Sequence, residues 1–387
     1  MGDRNRVDTT QWPAVIGQPD SLQRAPTPAL VCDLDLLEGN IAKMATLTRD
    51  AGVALRPHAK SHKCAKIARR QLDAGAAGIA CAKIAEAEAL VNELLTDDAT
   101  RTSILLTSPL ASPDAAARIV ELARRCDLFV VVDHPDGVDE LAGALRRHDT
   151  TLSLLCDVDV GLARTGVKDA DGALRVVERI VANEHLRFSG VQGYGGHLQH
   201  VQGREQRIEA TTTATRLLET VISALESRGV AVTLRTGGGT GTANIDIELG
   251  VLNELQTGSY VFMDREYRDA LGDDPEGEYR HSLSIATTVI SANHDDFVTV
   301  DAGLKAMATD AGSPVVVGHE TTSSYFFFGD EQGMVTNSPA HRFERGERVA
   351  LIPPHCDPTV DRYDAMWFVR EGVIVEIAPI TARGCSQ

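Results

Sequence analysis

Apolar positions along this chain come in short runs, and between the runs they recur at helical spacing. From about residue 28 the runs read ALVCDLD, VALRPHAK, GIACAK, SILLTSP, DLFVVVDH, TLSLLCDVD, FSGVQGYGG, AVTLRTGGG and ELQTGSYVFMD. They are short and rich in β-branched residues, which suits buried strands. Between them lie segments such as CAKIARRQLDAG, SPDAAARIVELARRC and REQRIEATTTATRLLETVISALESRG, rich in Ala, Leu, Glu and Arg. Ser112-Pro113-Asp114 predicts a helix start, because proline at the first helical position gives up an N–H that has no intrahelical partner. Strands alternating with helices predict a parallel sheet with crossover connections. Eight or so such units favour a closed α/β architecture, a (β/α)8 TIM-like barrel, over an open doubly wound sheet.

Near residue 275 the pattern changes. LGDDPEGEY is a polar Gly/Pro loop, followed by SLSIATTVISA, DFVTVDAGL, SPVVVG, SSYFFFGDEQGMV, ERVALIPPHCDP and AMWFVREGVIVEIAPI. Short alternating strands with turn residues between them predict a C-terminal all-β domain. The division expected is a barrel over 28–272, a β domain over 273–387, and an N-terminal segment, 1–27, packing on the β domain.

Charge and cysteine content narrow the function classes. The chain has 387 residues with 38 basic against 55 acidic side chains, a net charge of −17. Such a surface repels nucleic acid and anionic membranes, while a local pocket can still hold a small anion. Seven scattered cysteines without a CxxC pair argue against a disulfide framework or a structural zinc site. The polar start MGDRNRVDTTQWPAVIG has no apolar core of a secretory signal, so a cytoplasmic protein is expected.

Against that acidic background, LRPHAKSHKCAKIA gathers Arg56, His58, Lys60, His62 and Lys63. If VALRPHAK is a strand, His58 and Lys60 share a face and Lys60 stands at its C-terminal end, where barrels carry their chemistry. Burial beside Arg56 or Lys63 would lower the pKa of Lys60 and free its amine to form a Schiff base. A basic rim patch is the plainer alternative. TGGGTGT, Thr236 to Thr242, follows a late strand, and glycines there let backbone N–H groups close around an anion. A Schiff-base lysine with a phosphate cup points to pyridoxal 5′-phosphate, an aldehyde with a phosphate handle.

Further candidates lie on neighbouring segments. In CDVDVGLARTGV, Arg164 could reach a ring oxygen of the cofactor, or else pair with Asp157 or Asp159. In GYGGHLQH, Tyr194 could stack on a flat ring, and His197 and His200 are available as bases. In PPHCDPTVDRYD, His355 and Asp357 flank Cys356; if the run is extended they face one side and could hold a divalent ion. Two protein ligands leave positions for water and substrate, an open site suited to Mn2+, Mg2+ or Zn2+. The plainer alternative is a turn capped by Asp357.

RPHAKSHK, GGGTG, NELQTGSYVFMD, VDAGLKA and PPHCDPT together resemble the D-threonine aldolase and D-serine dehydratase family, over nearly the whole chain. The resemblance implies a fold type III pyridoxal-phosphate enzyme with an alanine racemase-type barrel, working as a homodimer. It implies that Lys60 carries the cofactor, Arg164 contacts its ring oxygen, and Tyr194 lines the ring. Gly238, Gly239, Thr240, Gly258, Ser259 and Tyr260 would surround the phosphate. His355 and Asp357 would bind the metal, with His200 as acid/base. His-x-Asp looks like the aldolase branch and a hard ion such as Mn2+, where dehydratases tend to show His-x-Cys. The activity implied is retro-aldol cleavage of a β-hydroxy-D-amino acid to glycine and an aldehyde. Dehydration of D-serine or 3-hydroxy-D-aspartate is the alternative, ahead of racemisation or cofactor binding without catalysis. Two departures stand out: Gly195 in GYGG and Gln332 in DEQG replace larger or titratable residues usual in relatives.

Overall fold

The computed structural model describes residues 15–94, 102–146, 148, 150–272 and 278–387. Most of the expected inter-domain loop, 273–277, and the first 14 residues lie outside that range.

Eight parallel strands form one sheet: Ala54–Leu55, Ile79–Cys81, Ser103–Leu106, Asp127–Val132, Leu152–Asp157, Leu186–Gly193, Leu234–Gly237 and Glu254–Leu255. From Ile79–Cys81 onward each pairs with the next in sequence, and the last pairs with the first, Ala54 opposite Glu254. The ring closes where His58 bridges Ala80 and the Ala80 N–H donates to Pro57 O at 2.9 Å. The sheet is therefore a barrel and not an open doubly wound sheet.

Strand alternation sorts the side chains. Ile79, Cys81, Ile104, Leu106, Val130 and Val132 join the large core beneath the helices, whereas Ala80, Leu105, Val131 and Leu155 form a separate cluster with Phe129 and Leu234. That split is the two-residue period of a sheet covered by helices on its outer face. The helix expected at Ser-Pro-Asp is present as Pro113–Ala123, with the Ser112 side chain accepting from the Ala115 N–H.

The second sheet has nine strands and includes Leu283–Ser291, Arg348–Ile352, Ala365–Arg370 and Val373–Pro379. It also takes Ala29–Asp33, which pairs antiparallel with Leu283–Ser291 and parallel with Ala365–Arg370. The alternation of strands and helices predicts this run in the barrel; it belongs instead to the second sheet. A buried apolar run does not by itself say which sheet it joins. The segment just before it packs on the same sheet, the Gly17 N–H donating to Ile374 O and the Ile374 N–H to Ser21 Oγ. No helix among the described residues is long and apolar enough to cross a membrane.

Candidate active site

The five residues of the opening cluster share no partner with one another. Arg56 is buried and donates to Glu254 Oε1 at 2.8 Å and Ser103 Oγ at 2.9 Å. His58 bonds Thr107 Oγ1 at 3.1 Å through Nε2. His62 accepts the Cys64 N–H at Nδ1 and faces Gln71 Oε1 through Nε2. Lys63 pairs with Asp361 at 2.9 Å. Only Lys60 turns to open space, its side chain 39% exposed.

Two expectations about Lys60 are corrected. The strand stops at Leu55, and Lys60 stands in a one-turn helical segment, Ala59–Ser61, that begins at His58. Backbone bonding to the last strand runs on past Pro57, the Arg56 N–H donating to Leu255 O and the His58 N–H to Thr257 O, before the chain turns at His58. Nor does a neighbouring cation free the amine. Burial alone would lower the Lys60 pKa, but the Asp357 carboxylate, its Oδ2 3.6 Å from Nζ, and then Tyr194 carry it above the ordinary lysine value. Arg56 and Lys63 are each paired with a carboxylate of their own, Glu254 and Asp361.

Tyr194 and Arg164 line the same space. Lys60 Nζ is 5.8 Å from the Tyr194 ring centre, and the Arg164 guanidinium carbon lies 5.3 Å from it. Arg164 thus stacks on an aromatic face. The carboxylates offered as alternative partners are engaged elsewhere: Asp157 accepts from Thr165 and Gln192, and Asp159 from the Gly161 and Ala163 N–H groups.

The glycine loop follows the strand Leu234–Gly237 and faces the turn Gly258–Ser259–Tyr260. The Tyr260 N–H donates to Thr240 Oγ1 at 3.0 Å, joining the two sides. Gln199 fills the back, its Oε1 accepting the Gly241 N–H at 2.9 Å. A side chain on Gly239 would strike Gln199, one on Gly241 would strike the Gln199 carbonyl, and one on Gly258 would press on His58. Glycine here lets backbone crowd backbone, the construction of an anion cup. Gly238 also needs glycine for its φ of 68°. Tyr260 differs from expectation in one respect: its ring is fully buried and its hydroxyl accepts from Gln71, so only its backbone faces the loop.

His355 and Asp357 do not lie on an extended run. Cys356–Val360 is a short helix with His355 at its N-cap and Asp357 in the first turn, and Cys356 points into the core. Two carboxylates set this helix. Asp264 Oδ2 accepts the Cys356 N–H at 2.8 Å while its Oδ1 caps the helix Arg265–Leu271 through the Tyr267 N–H. Asp310 Oδ2 meets His355 Nδ1 at 2.6 Å. Burial would lower the His355 pKa, but the bond to Asp310 and the charge of Asp357 raise it above the ordinary histidine value.

The two histidines of GYGGHLQH separate. His197 lines an outer groove with Gln206 and Glu209. His200 packs its ring on Tyr267, centroids 4.4 Å apart, with Nδ1 3.7 Å from Glu266 Oε1. Its Nε2 is buried and finds no protein partner among the described residues. Burial lowers the His200 pKa, and Glu266 opposes that while His355 adds to it.

Residues 32–266 match the family described as "Alanine racemase, N-terminal domain", and residues 282–369 match "Putative serine dehydratase domain". A D-threonine aldolase from Arthrobacter sp. is 37% identical over 369 residues, 95% of each chain. The chain belongs to the D-threonine aldolase and D-serine dehydratase family. A second family member, the 3-hydroxy-D-aspartate aldolase of Paracoccus denitrificans (strain Pd 1222), is 33% identical over 96% of this chain and 95% of its own. The crystal structure of D-threonine aldolase from Filomicrobium marinum superimposes with a TM-score of 0.90 at 34% identity, covering 95% of this chain and 98% of that one.

The two departures from the family pattern have different settings. A side chain at Gly195 would press on the end of the Leu198 side chain, two residues before His200. Gln332 is exposed on a hairpin of the second sheet, its carbonyl accepting the Phe328 N–H. Asp264, Asp310, Gln199 and Glu266 join the site without being among the candidate residues of its sequence motifs. Asp264 alone had a local signal, an aspartate directly before a short helical stretch; the others are joined to the site only through space.

Proposed function

We propose that this protein cleaves a β-hydroxy-D-amino acid of the D-threonine type into glycine and an aldehyde, using pyridoxal 5′-phosphate and a divalent metal ion. The observation that carries the reading is a carboxylate, Asp357, beside His355 and 3.6 Å from Lys60 Nζ. A hard oxygen donor with one imidazole suits Mn2+ better than a thiolate set would.

The residues present fit both groups. Lys60, Tyr194 and Arg164 surround an accessible amine, and a cup crowded with glycine stands beside it at Gly238, Gly239, Thr240, Gly258, Ser259 and the Tyr260 backbone. His355 is held at Nδ1 by Asp310, the usual way a protein fixes an imidazole so that Nε2 can ligate. When bound, pyridoxal phosphate would supply an electron sink for the charge left at Cα, and a divalent ion would supply a Lewis acid for the β-hydroxyl.

The chain's own groups do the rest. Tyr194 and Arg164 hold the planar ring and keep water from its face. His200 takes the β-hydroxyl proton at Nε2, the atom the protein leaves free, and Glu266 stabilises the imidazolium that results. As that proton leaves, the Cα–Cβ bond breaks and the β-carbon becomes the carbonyl of an aldehyde. A proton returned to Cα completes glycine.

The exposed Phe326 and Phe328, 49% and 56% accessible on an edge of the second sheet, support a homodimer. Seven free cysteines, six of them buried, suit the reducing cytoplasm.

The test is incubation of the enzyme with D-threonine, Mn2+ and pyridoxal phosphate. Acetaldehyde and glycine in equal amounts are expected, and a chelator should stop their release. Ammonia and an oxo acid without aldehyde would overturn the reading in favour of dehydration.

A further inference from the structure

We propose that Lys63 and Asp361 form a clamp that fixes the Lys60 amine relative to Asp357, making Lys63 a positioning residue of the metal site. The inference rests on the roles given above to Lys60 and Asp357.

Both of those side chains stand on elements too short to hold themselves. Lys60 belongs to the single turn Ala59–Ser61, and Asp357 to the five-residue helix Cys356–Val360. A lone turn fixes many dihedrals for few hydrogen bonds and has little stability of its own. They also come from different sheets, one from the barrel rim and one from the β domain. Something else must set their separation.

Lys63 is built to do so. Its φ is 50°, the left-handed region that a long side chain occupies only when its surroundings impose it. Its N–H donates to Ala59 O at 2.7 Å, closing the turn that carries Lys60. Its Nζ then reaches Asp361 Oδ1 at 2.9 Å, with the lysine side chain only 12% exposed. Asp361 is the C-cap of the helix that carries Asp357. That helix is therefore held at its start by Asp264 and at its end by Lys63.

The C-terminal segment locks the same joint. The Ala382 N–H donates to Lys63 O at 2.9 Å, and the Gly384 N–H donates to Asp361 Oδ1 at 2.9 Å. Lys63 and Asp361 thus each take one bond from that segment and one from each other. An ion pair buried at its lysine end, with a second bond at each end, is a geometric constraint more than a source of stability.

Four variants test this: Lys63→Met, Lys63→Arg, Asp361→Asn and the double variant Lys63→Met with Asp361→Asn. Each is loaded with pyridoxal phosphate and titrated with Mn2+ in a calorimeter, alongside Asp357→Ala as a control. Lys63→Met and Asp361→Asn should each weaken Mn2+ binding about tenfold, the scale seen when a support of a metal ligand is lost. They should lower kcat more than they raise KM and keep the visible absorbance of the lysine-bound cofactor. The double variant should bind Mn2+ no worse than either single one, because the two share one interaction, and Lys63→Arg should restore most of the affinity. Wild-type Mn2+ affinity in both single variants, or losses that multiply in the double variant, would overturn the clamp. If Lys63→Met does not fold, Asp361→Asn, at the more exposed end, carries the test alone. Should Asp357→Ala itself bind Mn2+ normally, the metal site proposed above is wrong and the clamp falls with it; if Asp357→Ala loses Mn2+ while the clamp variants keep it, only the clamp falls.

Discussion

Asp310 holds His355 from behind: its Oδ2 lies 2.6 Å from His355 Nδ1, and this carboxylate comes from a loop 45 residues earlier in the chain. The contact fixes which imidazole nitrogen faces the site. Asp310→Asn should therefore weaken Mn2+ binding by about 10–100-fold, leaving the thermal midpoint nearly unchanged because Asp310 is a mostly exposed side chain. Calorimetric titration with Mn2+ checks it; unchanged affinity would mean that His355 needs no support.

The glycine loop yields a comparison between two neighbours. A methyl on Gly239 meets the side-chain end of Gln199, which yields only by giving up bonds to Gly195 O, Thr242 Oγ1 and the Gly241 N–H, whereas a methyl on Gly241 meets the Gln199 carbonyl and Cα, main-chain atoms with less room still. Forcing atoms into packed backbone costs about 1–3 kcal/mol. Gly241→Ala should lose roughly tenfold or more in pyridoxal phosphate affinity, and Gly239→Ala clearly less. Fluorescence titration of the apoprotein ranks them, and equal losses would refute the packing argument.

Glu266 bears on the pH dependence of the reaction. Burial lowers the His200 pKa, and the nearby Glu266 carboxylate pulls it partly back up. Glu266→Gln removes the upward pull, so the base would deprotonate at still lower pH. The acidic limb of kcat/KM should move toward lower pH, with a smaller maximum because a weaker base accepts the proton less readily. A pH–rate profile of the variant with an unmoved acidic limb would separate His200 from the proton transfer.

His62 links stability to acid. Its imidazole is fully buried, with Nδ1 accepting from the Cys64 N–H and Nε2 set against Gln71, and burial pushes its pKa down from 6.5 to about 4. Between those values the unfolded chain binds a proton that the folded chain does not. Stability should therefore fall as pH drops from about 6.5 and level off below about 4, by roughly 3 kcal/mol for this one group. His62→Gln should flatten the dependence of the thermal midpoint on pH across that interval. A slope as steep as that of the parent protein would exclude His62 as the source.

Much of this protein was legible in one dimension. Alternating apolar runs and helical segments determine a barrel because backbone periodicity is local: two residues per repeat in a strand, 3.6 in a helix. Lys60, the glycines from Gly238 and the pair His355 and Asp357 were visible because unusual chemistry was concentrated in a few positions next to strand ends or turns. The sequence alone did not say that Ala29–Asp33 would leave the barrel for the second sheet, since a buried strand looks the same in either. It also misjudged the charge around Lys60. The cations adjacent in sequence, Arg56 and Lys63, are claimed by Glu254 and Asp361, each about 200 or more residues away, while Asp357 arrives from the other domain to hold the amine's proton. Sequence fixes which groups are present and which local shapes they favour; electrostatic environment depends on distance in space, and only the packed chain sets that.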